Sequence, residues 1–83
     1  MKSHRQMRRP CPVPMCGNAA RQGHLLCRSC WGAVPADVQR LVNTTWRAVR
    51  TATQQRSPLL RVHVGIYRRA SDAAIAAAEA ARP

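Results

Sequence analysis

Four cysteines near the start of the chain have the spacing needed to bind a metal ion. Four residues separate Cys11 from Cys16, ten residues follow, and two residues separate Cys27 from Cys30. Two close pairs of thiolates joined by a short loop are typical of a structural tetrahedral zinc site. We therefore predict that these four residues together bind one Zn2+.

The residues around the cysteines favour turns that bring the thiolates together. Pro12 and Pro14 restrict the chain between the first pair, and Gly17-Asn18 is a typical turn dipeptide. Cys30 precedes Trp31 and is expected in the first turn of a short helix. This order of knuckle, short hairpin and helix predicts a treble-clef-like finger, with a turn at 21–23 and a short strand over 24–26 that leads into Cys27.

Other uses of four cysteines remain as alternatives to zinc. An iron–sulfur cluster also needs four thiolates, although this order of spacings is not a common ferredoxin pattern. Disulfides are disfavoured because no apolar signal segment follows Met1, so an oxidising compartment is not indicated. His24 could replace one cysteine, but we expect it to be uncoordinated. Arg8, Arg9 and Arg28 are expected to stabilise the anionic cluster.

The charge balance points to an anionic partner. Lys and Arg number 14 against three acidic residues, which gives a net charge of +11. All but one of these cations are Arg, which binds phosphate or carboxylate groups through two parallel hydrogen bonds. We expect nucleic acid or an acidic protein surface as the partner, and no membrane.

The sequence contains no recognisable catalytic motif. The three acidic residues, Asp37, Asp72 and Glu79, are widely separated, and neither a phosphate loop nor a nucleophile motif is present. A zinc ion held by four cysteines also has no open position for water. We therefore expect a protein that is not an enzyme.

The length predicts one small domain that depends on its metal. Eighty-three residues without Phe, with one Tyr and two Trp, bury little apolar surface. We predict a mainly α fold in which the zinc finger is followed by two longer helices packed as a helical hairpin. The predicted segments are a basic flexible arm over 1–10, a knuckle over 11–34, and helices over 35–53 and 57–82.

The first long helix is predicted from its start signal and its periodicity. Pro35 and Asp37 are typical of a first turn, and apolar residues recur at helical spacing. Trp46 lies at the edge of this stripe, and we expect it in the core rather than as a platform for base stacking. The predicted buried stripe consists of Val38, Leu41, Val42, Thr45 and Val49; the opposite basic ridge consists of Arg40, Arg47 and Arg50.

The last helix shows two apolar stripes. Ser57-Pro58 predicts its start, and the sustained stripe with an Ala-rich end favours a helix over the strand that the alternation in 60–66 indicates. We expect the core stripe to consist of Leu59, Val62, Ile66, Ala70, Ala73 and Ala77. The second stripe either binds a partner or is covered by the rest of the chain; its predicted partner-binding residues are Leu60, Val64, Tyr67 and Ile75.

A longer motif resembles a family. The run Gly-His-Leu-Leu-Cys-Arg-Ser-Cys-Trp-Gly-Ala-Val-Pro over 23–35, with Trp46-Arg47 in the next helix, is similar to small basic cysteine-knuckle proteins of actinobacteria and their phages. The similarity covers 11–50, although the first cysteine pair is more widely spaced than in the usual knuckle. The resemblance implies a zinc-finger fold. We expect a cytoplasmic location, in the host cytoplasm if a phage encodes the protein.

Two functions fit these features. The first is a zinc-stabilised module that binds nucleic acid, DNA in the first place, through arginine-rich faces. The second is a small phage-type adaptor or inhibitor that binds an acidic surface of a host protein through the last helix, or that self-associates there. The predicted nucleic-acid-binding residues are Arg8, Arg9, Arg28, Arg40, Arg47, Arg50, Arg61 and Arg68.

Overall fold

A short hairpin and three helices form the part of the chain that the computed structural model describes, residues 9–21 and 23–81. The order is β1 (Arg9–Pro10), β2 (Ala19–Ala20), α1 (Arg28–Gly32), α2 (Ala36–Gln54) and α3 (Leu60–Ala80). The predicted fold class, a mainly α protein with a short hairpin followed by two packed helices, is confirmed. Most of the arm predicted over 1–10 lies outside the described residues.

The loop that connects the two strands of the hairpin contains the first cysteine pair. β1 and β2 are antiparallel with Arg9 opposite Ala20. Next to the strands, at the start of the loop, the Cys11 N–H donates to the Asn18 carbonyl at 2.8 Å. The strand predicted over 24–26 is wrong, because these residues are bends and irregular backbone. There the chain turns, with the His24 N–H donating to the Arg21 carbonyl at 3.0 Å, and Leu26 is buried in the core instead of pairing with a strand.

A hydrogen bond from α2 ties α1 to it. The Gln39 side-chain amide donates to the Trp31 carbonyl at 2.8 Å, across the short connection that contains buried Val34. Pro35 is the N-cap of α2 and Asp37 lies in its first turn, where a negative charge is favourable. This bond therefore ties the end of α1 to the start of α2.

α2 ends in a Schellman motif that sets the direction of α3. The Ser57 N–H donates to the Ala52 carbonyl at 2.9 Å, and the Arg56 N–H donates to the Thr53 carbonyl at 3.2 Å. Arg56 occupies the left-handed position with φ of 50°. The Ser57 hydroxyl then accepts the Leu59 N–H at 3.1 Å. Because these residues form a turn, α3 begins at Leu60, later than the predicted Ser57 cap.

α2 and α3 pack through faces of different composition. On α2, Val42, Thr45 and Val49 are buried as predicted, while Leu41 of the same predicted stripe is exposed. The buried residues of α3 are Ala70, Ser71, Ala74 and Ala78. Small residues at a spacing of four allow the backbones of two helices to approach closely.

The predicted core face of α3 is wrong. Leu59, Val62 and Ile66 are about half exposed, and of the predicted stripe only Ala70 is buried. The second stripe faces the core instead, with Tyr67 and Ile75 packed against the central cluster. The molecule measures 42 × 41 × 17 Å, so its short dimension holds only two layers of elements. Among the described residues, the face of α3 that carries Leu59, Val62 and Ile66 is therefore left partly exposed.

Candidate metal centre

The sulfur atoms of the four cysteines converge in one place. All four Sγ atoms lie within 4.8 Å of one another, and three of the four residues are buried while Cys16 is half-buried. No disulfide joins any two of these four cysteines. The residues are Cys11, Cys16, Cys27 and Cys30, the set that the sequence predicted.

The spacing of the sulfurs suits one metal ion. The Cys16 Sγ lies 3.6 Å from the Cys27 Sγ and 3.4 Å from the Cys30 Sγ. Zn–S bonds of about 2.3 Å in a tetrahedron place sulfur atoms about 3.8 Å apart. An iron–sulfur cluster holds several irons between its thiolates, so its cysteine sulfurs cannot all lie this close to one another. The site therefore fits a single ion, consistent with one Zn2+.

Local backbone geometry brings each pair together. Between Cys11 and Cys16 the chain turns through a Cys16 N–H bond to the Val13 carbonyl at 3.2 Å, with Met15 and Gly17 at φ of 65° and 77°. Positive φ at Gly17 is free of the strain that a Cβ would bring. Cys27 is the N-cap of α1, and Cys30 lies in that helix one turn further on.

Polar groups beside the cluster stabilise the sulfur atoms. The Asn18 side-chain amide donates to the Cys27 Sγ at 3.9 Å, and the Ser29 hydroxyl lies 3.5 Å from the same sulfur. The Cys27 N–H donates to the Cys11 Sγ at 3.5 Å. We expected cationic side chains in this role. Sequence reasoning missed Asn18 and Ser29, although Ser29 stands between the second pair of ligands and Asn18 lies in the turn after the first.

The arginines expected beside the cluster are placed differently. The Arg9 guanidinium donates to the His24 carbonyl at 3.4 Å, and Arg28 is exposed at the start of α1. Arg8 lies outside the described residues. These cations therefore add positive charge to the surface around the knuckle, while neutral donors contact its sulfurs.

The thiols of the cluster differ in their pKa values. The Ser29 hydroxyl is the main cause that lowers the pKa of Cys27 to about 6. Burial, together with the neighbouring cysteines, raises the pKa of Cys30 to about 12. Four thiolates packed this closely repel one another, so they can all be ionised only around a metal cation.

Acidification is expected to release the metal. The pKa of Cys27 is lowered from 9.0 to about 6, so its ionisation stabilises the fold fully above pH 9 and is lost as the pH falls through 6. Protons compete with the metal for the four thiolates, so we expect the metal to be retained at pH 7.4 and to be released progressively as the pH falls. A colorimetric zinc indicator measures the release during a pH titration.

Ser29→Ala is the matched variant for this titration. It removes the hydroxyl that lowers the pKa of Cys27 and leaves all four ligands in place. We expect its release midpoint to move to higher pH while metal is still bound at pH 8. A midpoint unchanged from that of the unmodified protein would contradict the role given to Ser29.

The structure also places the remaining predicted site residues. His24 is exposed and is not part of the cysteine group. The predicted partner-binding residues Leu60, Val64, Tyr67 and Ile75 are all half-buried, and the last two pack against the core. The described members of the predicted nucleic-acid-binding set are all exposed; they are Arg9, Arg28, Arg40, Arg47, Arg50, Arg61 and Arg68.

Fold and site together define a small helical module built around a four-cysteine metal knuckle. Neither family models nor curated proteins nor solved structures give a match to this chain. The geometry of the cysteine cluster is therefore the basis for assigning a metal-binding class, and the resemblance to actinobacterial and phage proteins stays a prediction. Within the described ranges, no helix has the length and apolar character needed to cross a bilayer.

Proposed function

We propose that this protein is a zinc-stabilised module that binds nucleic acid, with DNA as the first candidate. The observation that supports this most is the basic ridge on α2, Arg40, Arg47 and Arg50. All three side chains are exposed, and residues seven and ten apart lie on nearly the same face of a helix. The one acidic residue of α2, Asp37, lies in its first turn.

The charge of the whole chain favours the same partner. The net charge of +11 falls to about +9 when four thiolates bind one Zn2+. Guanidinium groups contact phosphate oxygens in a fixed two-point geometry. Further exposed arginines on β1, α1 and α3 add to this field, and such a field increases the rate at which a polyanion associates. We expect binding that depends on phosphate charge more than on sequence.

Arg47→Glu is expected to weaken DNA binding and to flatten its salt dependence. Each phosphate contact contributes about 0.9 to the slope of log K against log salt concentration on duplex DNA, so removing one contact lowers the slope by about that amount. Fluorescence anisotropy with a labelled duplex at several salt concentrations measures both quantities. The matched control is Arg56→Glu, which makes the same charge change in the turn between α2 and α3.

The comparison of the two variants tests the ridge directly. Equal losses in Arg47→Glu and Arg56→Glu would mean that only net charge matters and that α2 does not contact the phosphates. An unchanged affinity and slope in Arg47→Glu would remove the ridge from the proposed interface. RNA of the same sequence, titrated alongside, decides between the two nucleic acids.

A protein adaptor is the second candidate, and the exposed apolar face of α3 favours it. Val62 and Ile66 are 55% and 45% exposed, and Arg69 follows them seven and three residues later on the same side of the helix. An apolar strip beside a cation suits an amphipathic partner with acidic residues. A protein that stays bound after nuclease treatment of a pull-down, and is released by Val62→Asp, would support this function.

A further inference from the structure

A cleft lined by aromatic side chains lies beside the basic ridge. It has a volume of about 320 Å3 and is lined by residues of β1, the 23–26 segment, α1, α2 and α3. Buried Leu26 and Val42 contribute to its apolar lining, and the rings of Trp31, Trp46 and Tyr67 line it as well. The volume is at the small end of the range for sites that bind small organic ligands, about 300–1,000 Å3.

The exposure of Trp46 is unusual for a residue that the sequence predicted in the core. Its side chain is 45% exposed, and its ring centroid lies 5.1 Å from that of Tyr67 at an angle of 46°. Tyr67 packs against the core and holds the indole from one side. The pair therefore presents aromatic surface to the cleft, which is the arrangement that stacks on a flat heterocycle.

Polar groups line the same cleft. The Arg9 guanidinium is held near it by the bond to the His24 carbonyl at 3.4 Å, and the exposed amide of Asn43 offers both a donor and an acceptor. A nucleobase needs such groups for its edge and an aromatic ring for its face. An aliphatic ligand would leave these polar groups without partners.

The cleft is continuous with the ridge along α2. Val42, Trp46 and Arg50 follow one another at intervals of four residues, so Trp46 lies between the buried stripe and the ridge. Asn43 lies in the cleft, and Arg47 and Arg50 follow it four and seven residues later on the same face. A strand whose phosphates contact the arginines would therefore pass the mouth of the cleft.

We propose that this cleft binds one unpaired base of single-stranded DNA while the ridge binds the adjacent phosphates. The inference rests on the proposed nucleic-acid function and adds its substrate class, a strand with accessible bases. In a duplex both faces of each base are stacked and its pairing edge is occupied. The cleft therefore distinguishes single strands from duplexes, which the ridge alone does not.

The test compares strands that carry the same phosphates with and without bases. The metal-loaded full chain is titrated with single-stranded DNA of about 12 nucleotides, with an abasic strand of equal length, and with the corresponding duplex. Anisotropy of the labelled strand gives the affinity, and tryptophan emission reports on the cleft. We expect quenching by the base-containing strand and an affinity at least about five-fold higher than for the abasic strand.

Variants assign the preference to the cleft. Trp46→Ala is expected to remove the difference between base-containing and abasic strands, and Trp46→Phe to retain most of it. The matched control is Leu41→Ala, on the same helix, where the side chain is 49% exposed and lies outside the cleft. Circular dichroism and metal content of each variant confirm that the fold is retained.

The outcomes separate this inference from the function on which it rests. Equal affinity for abasic and base-containing strands would overturn the cleft as a base site and leave phosphate binding by the ridge in place. No binding to any strand would overturn both. If Trp46→Ala weakened both strands equally, Trp46 would belong to the fold and the inference would be wrong.

Discussion

Removal of the metal is expected to unfold the first half of the described chain and to loosen the helical hairpin. A structural Zn2+ contributes about 10–16 kcal/mol of apparent binding free energy in zinc-finger peptides, whereas a whole domain is stable by about 5–15 kcal/mol. Three of the four ligands are members of the core cluster, together with Val13, Leu26 and Val34. Without the ion, the four closely packed thiols cannot all be ionised together, and the core cluster loses the bonds that join its cysteines.

The loss should be read from tertiary structure more than from helix content. The same core cluster includes Val42 of α2 and Ala74 of α3, so unfolding of the knuckle uncovers both helices. Isolated helices of about 20 residues, one of them rich in alanine, keep part of their helicity. We therefore expect chelation to abolish near-ultraviolet circular dichroism and amide protection in α1, and to reduce the far-ultraviolet signal only in part.

Cys30→Ser and Ser29→Ala form a matched pair for this experiment. Both change one atom group in the same turn of α1, but only the first removes a ligand. At pH 8 we expect Cys30→Ser to resemble the chelated protein and Ser29→Ala to bind one equivalent of zinc and remain folded. A chelated protein that kept its near-ultraviolet signal and its α1 protection would show that the core does not depend on the metal.

Ala74→Asp is expected to destabilise the protein severely, while Ala73→Asp is expected to be tolerated. Ala74 is fully buried between the helices, and Ala73 next to it is exposed. A carboxylate at Ala74 would be buried without a partner in a site fitted to a methyl group, which costs about 3 kcal/mol or more. At Ala73 the same change costs little beyond helix propensity, about 0.7 kcal/mol.

The comparison needs a fixed metal concentration, because bound zinc contributes to the measured stability. Urea unfolding of both variants at equal free zinc gives the two free energies of unfolding. The two substitutions change net charge and helix propensity equally, so their difference reports burial alone. A larger loss in Ala73→Asp than in Ala74→Asp would restore the face of α3 that the sequence predicted as buried.

The features of this protein that depend only on neighbours in the chain were predictable from the sequence. The two cysteine pairs, with Pro12, Pro14 and Gly17 between or beside them, were enough to predict the ligand set, because each pair is closed by a local turn. The start of α2 at Ala36 was also local, since Pro35 and Asp37 act within one helical turn. Helix spacing was likewise enough to predict that Arg40, Arg47 and Arg50 share a face.

Which of the two apolar stripes on α3 is buried depends on packing against the rest of the molecule. Both stripes satisfy helical periodicity, and the larger side chains of Leu59, Val62 and Ile66 favoured the wrong one. The observed face carries Ala74 and Ala78, whose small side chains let the helices approach closely. Periodicity gives the spacing of apolar residues along one helix, but the shape of the opposing surface decides which stripe packs against it.

The conformation of residues 24–26 and the cleft also depend on contacts between distant parts of the chain. Residues 24–26 are apolar enough for a strand, but the second ligand pair must return to the first, and this draws Leu26 into the core. That return also places the segment opposite Trp46 and Tyr67 and so forms the cleft. Contacts between residues far apart in the chain have no local signal, because they arise only when the metal knuckle closes against the helices.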